Sequence, residues 1–243
     1  MSGHSKWSTI KRKKAKIDAQ RGKIFTRLSK EIIIAARNGG PDPAGNMRLK
    51  TAIEKAKEAN LPNDNIQRAI LKGAGGGDGA NFEEFAYEGY GPGGVAILLY
   101  VATDNRNRTA GEVRHILSKH GGNLGETGCV SWMFSEKGVV VIERSESSIS
   151  EDDLMLVALE AGADDVKVEE DSFEINTSTG DFEAVKSALI QQGIPIAHSE
   201  LAMLPQTYVK LLGEEAEKMN KMIELLEDND DIQAVYTNFE AEE

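Results

Sequence analysis

The 243-residue chain has a single cysteine, Cys129. One thiol forms no internal disulfide and supplies no Cys cluster for zinc, which suits a reducing compartment. The four histidines, at 4, 115, 120 and 198, fall at no metal-binding spacing such as HExxH. No metal and no cofactor is therefore expected. No apolar run approaches the roughly 18 residues that a membrane helix needs; the longest, Val95 to Ala102, has the length of a buried strand. The first residues are polar and basic with no apolar h-region, so no secretory signal is expected, and their Lys-rich character differs from an Arg-rich transit peptide. A cytoplasmic location follows. GxSxG, a Rossmann fingerprint and a Cys/His pairing are all missing, so the chain reads as a non-enzyme.

What the chain has in excess is charge, unevenly placed. The formal net charge is −12, yet residues 1–72 hold 17 Lys+Arg against 6 Asp+Glu, and residues 73–243 hold 11 against 34. A +11 segment joined to a −23 body points to a phosphate-bearing partner at the basic end, because acidic surface repels phosphate. The densest cations are Lys6, Lys11, Arg12, Lys13, Lys14 and Lys16, with His4 and Trp7 among them. Each such cation that meets a phosphate releases counterions, and the two rings suit stacking on unpaired bases. Self-repulsion predicts that residues 1–20 form a mobile arm.

Hydrophobic spacing organises the rest. A helix is predicted from about Arg21 to Arg37, ended by Asn38-Gly39-Gly40-Pro41, a second around Leu49, Ile53 and Ala56, and a third after Asn60 with Pro62 in its first turn. Three short amphipathic helices make a small helical domain. Gly73 to Gly79 follows no strand and lacks the GK[ST] ending of a phosphate loop, so it reads as a flexible linker. Beyond it, strands are predicted at 82–90, 95–103 and 129–134, with a helix at 109–120. The segment 135–205 shows the order βαββαβ of a ferredoxin-like unit. The tail 206–243 reads as strand, helix, strand and is too short to fold alone. The expected fold class is α+β: an N-terminal three-helix domain followed by two ferredoxin-like α/β domains, one inserted in the other. The boundaries are 1–79, then 80–134 with 206–243, interrupted by 135–205.

Several segments resemble the YebC/PmpR family, which includes a mitochondrial translational activator of cytochrome oxidase subunit one. They are Gly3-His4-Ser5-Lys6-Trp7, Arg21-Gly22-Lys23-Ile24-Phe25-Thr26, Asn63-Asp64-Asn65-Ile66, Tyr87 to Gly94, Thr103 to Thr109 and Lys119 to Gly125. The resemblance spans essentially the whole chain; Cys129 and Leu61 stand where Ser and Met are expected. It implies a helical domain followed by two α/β domains. It also implies one of two roles: a DNA-binding transcriptional regulator, or a translation factor on the ribosome that relieves stalling at proline-rich stretches.

The residues expected to contact nucleic acid are His4, Lys6, Trp7, Lys11, Arg12, Lys13, Lys14, Lys16, Arg21, Lys23, Arg27, Arg48, Lys50 and Arg68. Arg48, Lys50 and Arg68 would act from the second and third helices if these formed a helix-turn-helix reader, although a plain three-helix scaffold is the favoured reading. A secondary phosphate contact is expected at Arg106, Arg108, Arg114 and Lys119, a basic island in an acidic body. The acidic stretch from Glu146 to Glu183 reads as a solvated face, and Trp132-Met133-Phe134 as strand core. The expected function is a nucleic-acid-binding regulator of gene expression, foremost a DNA-binding transcriptional regulator. The alternatives are a ribosome-associated factor that binds ribosomal RNA on the large subunit, and a small-molecule sensor built on the ferredoxin-like domains.

Overall fold

The structure, a computed structural model, describes residues 6–75 and 81–241, with side chains from residue 22 to 75 and 81 to 240. They form seven α-helices and ten strands. The described chain divides into two compact units: 16–129 with 214–235, and 130–213 with 6–15 and 236–241.

The first unit opens with three helices, α1 (Lys6–Gly39, in this unit from Lys16), α2 (Met47–Glu58) and α3 (Asn63–Gly73). The helix expected from Arg21 starts instead at Lys6. Lys, Arg, Ala and Gln dominate 11–21, and these are strong helix formers; their propensity outweighs the self-repulsion that suggested a mobile arm. The buried face of α1 is Ile32, Ile33, Ala35 and Ala36, which packs with Leu49, Ala52 and Ala56 of α2 and Ile66, Ala69 and Ile70 of α3. Leu61 closes this cluster, and Pro62 lies one position outside α3 as its N-cap rather than within its first turn. Gly73 is not linker: it is the buried last residue of α3, and a Cβ there would strike the carbonyl oxygen of Ile33 and the side chain of Ala36. Only glycine lets the two helices approach this closely.

Asn46 joins α1 to α2. Its Oδ1 accepts from the Leu49 amide at 3.1 Å, and its Nδ2 donates to the carbonyls of Ala35 at 2.7 Å and Gly40 at 2.8 Å. One buried side chain thus satisfies an open donor at the start of α2 and ties it to the last turn of α1 and the residue after it.

The same unit continues with β1 (Glu83–Tyr90), β2 (Ala96–Thr103), α4 (Arg106–Lys119) and the short β3 (Asn123–Leu124), which sequence reasoning missed because two residues carry no periodicity. It is completed by α7 (Gly213–Glu227) and β9 (Ile232–Thr237). The strand order is β3-β1-β2-β9. β1 and β2 pair antiparallel over their full length, from Glu83↔Thr103 to Tyr90↔Ala96. Met219, Met222 and Leu226 of α7 are buried; Met219 packs where a Cβ on Gly91 would stand, its Sδ only 2.6 Å from that point.

The second unit holds β4 (Phe134–Glu143), α5 (Glu151–Glu160), β5 (Ala163–Val168), β6 (Ser172–Thr177), α6 (Phe182–Gln191) and β7 (His198–Pro205), with strand order β5-β6-β4-β7 and antiparallel neighbours. This is the split βαβ pattern. Its core joins Val140, Ile142 and Ile175 of the sheet to Leu154, Ala158, Val185 and Leu189 of the helices. Two short strands, β8 (Val209–Leu211) and β10 (Phe239–Ala241), pair in parallel. The strand expected at Cys129–Phe134 is instead a 3-10 turn over Ser131–Met133, and Trp132 is 65% exposed rather than core. The ladder begins only at Phe134, which faces Pro205. No described helix is long and apolar enough to cross a membrane.

Replacing Asn46 with Ala should lower stability by about 2 kcal/mol, because it removes a cap and the two hydrogen bonds that tie α2 to the end of α1. Chemical denaturation of wild type and variant checks this, and a change below about 0.5 kcal/mol would remove the stapling role.

Candidate nucleic-acid interface

The structure sorts the candidate cations into those committed to intramolecular partners and those left on the surface. His4 lies outside the described residues. Lys6, Trp7, Lys11, Arg12, Lys13, Lys14, Lys16 and Arg21 lie on the backbone of α1, with side chains outside the described set.

Next along α1, Lys23 donates to the Asp228 carbonyl at 3.2 Å and pairs with the Asp228 carboxylate at 3.6 Å. Arg27 is half-buried. Burial lowers its pKa from the usual value, and the nearby carboxylates of Glu227, Asp230 and Asp228 oppose that fall. Both side chains are therefore directed at the acidic end of α7 and the turn after it. Arg48 is more firmly committed. Its guanidinium spans Glu31, at 2.8 and 3.1 Å, and Glu84, at 3.0 and 2.5 Å, and these hydrogen bonds raise its pKa further. Arg68 donates to the side chain of Asn65 and, at 3.2 Å, to the carbonyl of Asp64 in its own helix. Of the three cations considered for base reading, Lys50 and Arg68 are exposed with no ion pair among the described residues. One of the three candidate readers, Arg48, is thus occupied by carboxylates within the protein.

The basic island divides in the same way. Asn105 caps α4 by accepting from the Arg108 amide at 3.0 Å. Arg106 lies 4.5 Å from the Phe85 ring centroid, a cation–π contact. Arg108 donates to Asp231 at 2.7 Å and Asp104 at 3.0 Å, and both raise its pKa. Arg114 and Lys119 are exposed and pair with no carboxylate among the described residues.

Sequence reasoning did not single out the group around which these side chains are arranged. Lys30, buried on α1, donates to the carbonyls of Ala102 at 3.0 Å and Asp230 at 2.9 Å and to Asp231 Oδ1 at 3.0 Å. Asp231 Oδ2 accepts from Thr103 at 3.0 Å, Thr109 at 2.8 Å and Arg108 at 2.7 Å. Burial by itself would raise the Asp231 carboxyl, but the hydrogen bonds from Arg108, Lys30 and Thr109 overcome it and hold the group at about 2. The only signal in the sequence was a lysine beside an otherwise apolar run, Ile32 to Ala36. The group borders an open cleft of about 510 Å³, lined by Lys23, Lys30, Phe82, Arg108 and the run Asp228 to Asp231. Its cations already face carboxylates, so the cleft offers no net positive site for phosphate. Among the described residues no cluster of His, Cys, Asp and Glu is placed to hold a metal.

Comparison with known proteins follows this geometry closely. The model of the TACO1/YebC N-terminal domain matches residues 5–76, and that of the second and third domain matches residues 82–239. The chain belongs to the TACO1/YebC family. A probable transcriptional regulatory protein of Desulforamulus reducens is 80% identical over 242 residues and covers 100% of both chains. One of Pelotomaculum thermopropionicum is 64% identical, again over 100% of both. The crystal structure of a conserved hypothetical protein from Aquifex aeolicus superposes with a TM-score of 0.82 at 49% identity, covering 94% of each chain.

Asp231 sets a pH dependence. Its folded pKa lies below the unfolded value, so its contribution is complete above about pH 5 and is lost as pH falls toward 2, on the order of 2 kcal/mol. Asp231→Asn should cost about 3–5 kcal/mol at neutral pH by leaving Lys30 buried without its counter-charge. It should also flatten the acid limb of the stability curve. Urea unfolding from pH 2 to 7 measures both, and an unchanged acid limb would dismiss Asp231 as its source.

Proposed function

We propose that this protein is a nucleic-acid-binding regulator of gene expression, acting foremost as a transcriptional regulator on DNA. The observation that carries the reading is the charge division, +11 over residues 1–72 against −23 over the remainder. The names of the close relatives support the transcriptional role. Binding comes chiefly from phosphate neutralisation by the cations of α1, with Lys50 added from α2. The protein does no chemistry on its target.

A second reading has an observation of its own. Arg48 is held by Glu31 and Glu84, so the helical domain has one candidate fewer to present to duplex base edges. A factor that binds ribosomal RNA needs no such reading helix, since RNA is recognised through shape, backbone and unpaired bases. Under that reading the partner is the large ribosomal subunit and the compartment is the cytoplasm.

Deleting residues 1–20 should remove most binding to duplex DNA and structured RNA while the far-ultraviolet spectrum keeps its α+β shape. For the full chain on duplex DNA, the log–log dependence of affinity on salt should have a slope of about −4 to −6, as for roughly 5–7 neutralised phosphates. Fluorescence anisotropy across 50–300 mM salt measures both, and a truncated chain that binds as tightly as the full one would refute the assignment to α1. Binding that withstands a scrambled DNA sequence but is strengthened by purified ribosomes as the target would move the reading from transcription to translation.

A further inference from the structure

We propose that the outer face of α4 seats a sugar–phosphate backbone, with Arg114 and Lys119 on its flanks and Gly111 at the point of closest approach. This rests on the nucleic-acid reading and adds a contact in the sheet-containing part of the first unit.

The argument starts from which cations are available. α4 buries Thr109, Val113 and Leu117. Residues follow one another by about 100° around a helix, so the side opposite those three carries Asn107, Gly111, His115 and Ser118, all exposed. Arg114 borders this strip on one side and Lys119 on the other. The helix's one carboxylate, Glu112, lies at the edge of the strip on the Lys119 side and accepts from the Asn229 side chain at 2.7 Å. Arg108 is neutralised by Asp104 and Asp231. The flanks of the strip carry Arg114 and Lys119 against Glu112 alone, a net positive side in a body whose residues 73–243 carry −23. A positive surface kept on such a body matches a polyanion in charge, and the fork of Arg114 suits a phosphate oxygen pair.

Gly111 sharpens the charge argument. It sits in the middle of a 14-residue helix, and nothing lies within 4 Å of where its Cβ would stand. Packing therefore does not require glycine there, in contrast to Gly73 and Gly91, whose Cβ positions are occupied by neighbours. Glycine in an exposed helix interior weakens the helix relative to almost any other residue. A side chain missing between two outward cations leaves room for a phosphodiester strand to reach the helix surface, where both cations then meet phosphates.

The test uses the full chain with a fluorescein-labelled RNA hairpin and a DNA duplex of equal length. Gly111→Gln puts a good helix former at the centre of the face. It should raise the melting temperature by about 1–3 °C and weaken binding at least fivefold. Arg114→Gln with Lys119→Gln should weaken binding further and make the salt slope shallower by about 2 on duplex, the value for two lost phosphate contacts. Whichever probe loses more affinity identifies the backbone, RNA or DNA, that α4 meets. A fall in melting temperature for Gly111→Gln would show that packing explains the glycine, and binding within twofold of wild type for either variant would overturn the site. In both cases binding by the unaltered chain would leave the nucleic-acid reading standing. If the unaltered chain binds neither probe at 50 mM salt, that reading falls and this one with it.

Discussion

The ion pair between Lys30 and Asp231 is the contact on which the first unit depends. Asp231 stands 201 residues along the chain from Lys30, just before the strand that completes the sheet. Its two oxygens collect donors from α1, from the end of β2 and from the first turn of α4. Lys30 uses its remaining hydrogens on carbonyls of β2 and of the turn before β9. A buried ion pair is weak evidence for stability when its desolvation is unanswered. Here every proton of the ammonium and both oxygens of the carboxylate are hydrogen-bonded, the condition under which such a pair holds. It also fixes register, since a one-residue slip of β9 would remove the carboxylate from all its donors.

That contact governs which cations reach a partner. Arg108 completes the Asp231 shell, and Lys23 and Arg27 face the acidic residues leading up to it. Arg48 is fixed by two glutamates from separate elements. A count of basic residues therefore overstates the surface available to phosphate. What decides is whether a carboxylate stands within hydrogen-bond reach. By that measure Lys50, Arg68, Arg106, Arg114 and Lys119 remain exposed with no carboxylate partner among the described candidates.

The helical domain and the βαββαβ order were legible because long amphipathic segments, glycine-rich turns and proline stops are local properties. The extension of α1 back to Lys6 was missed because the reading weighed repulsion between lysines above their helix propensity. The turn at Ser131–Met133 was missed because Trp, Met and Phe in succession imitate a strand; only the pairing of β4 with β7, remote in sequence, sets where the ladder starts. The Lys30–Asp231 hub was illegible for a similar reason, since its partners are separated by most of the chain. The distinction between Gly73, which packing demands, and Gly111, which it does not, is equally invisible in the sequence. Both are glycines near the middle or end of an amphipathic pattern.

The acidic excess is compatible with a polyanionic partner because of screening. At physiological salt the potential of a surface charge falls off over about 8 Å, so a phosphate responds to the side chains nearest it and not to a total of −12. A helix face with two outward cations against one flanking carboxylate is attractive at that range even on a body with 34 acidic residues over 73–243. Beyond it, the acidic surface opposes contact at any other place. Positive charge thus chooses where the partner sits, and negative charge elsewhere excludes the alternatives, which is how a protein of pI about 4.9 can hold a nucleic acid in one orientation.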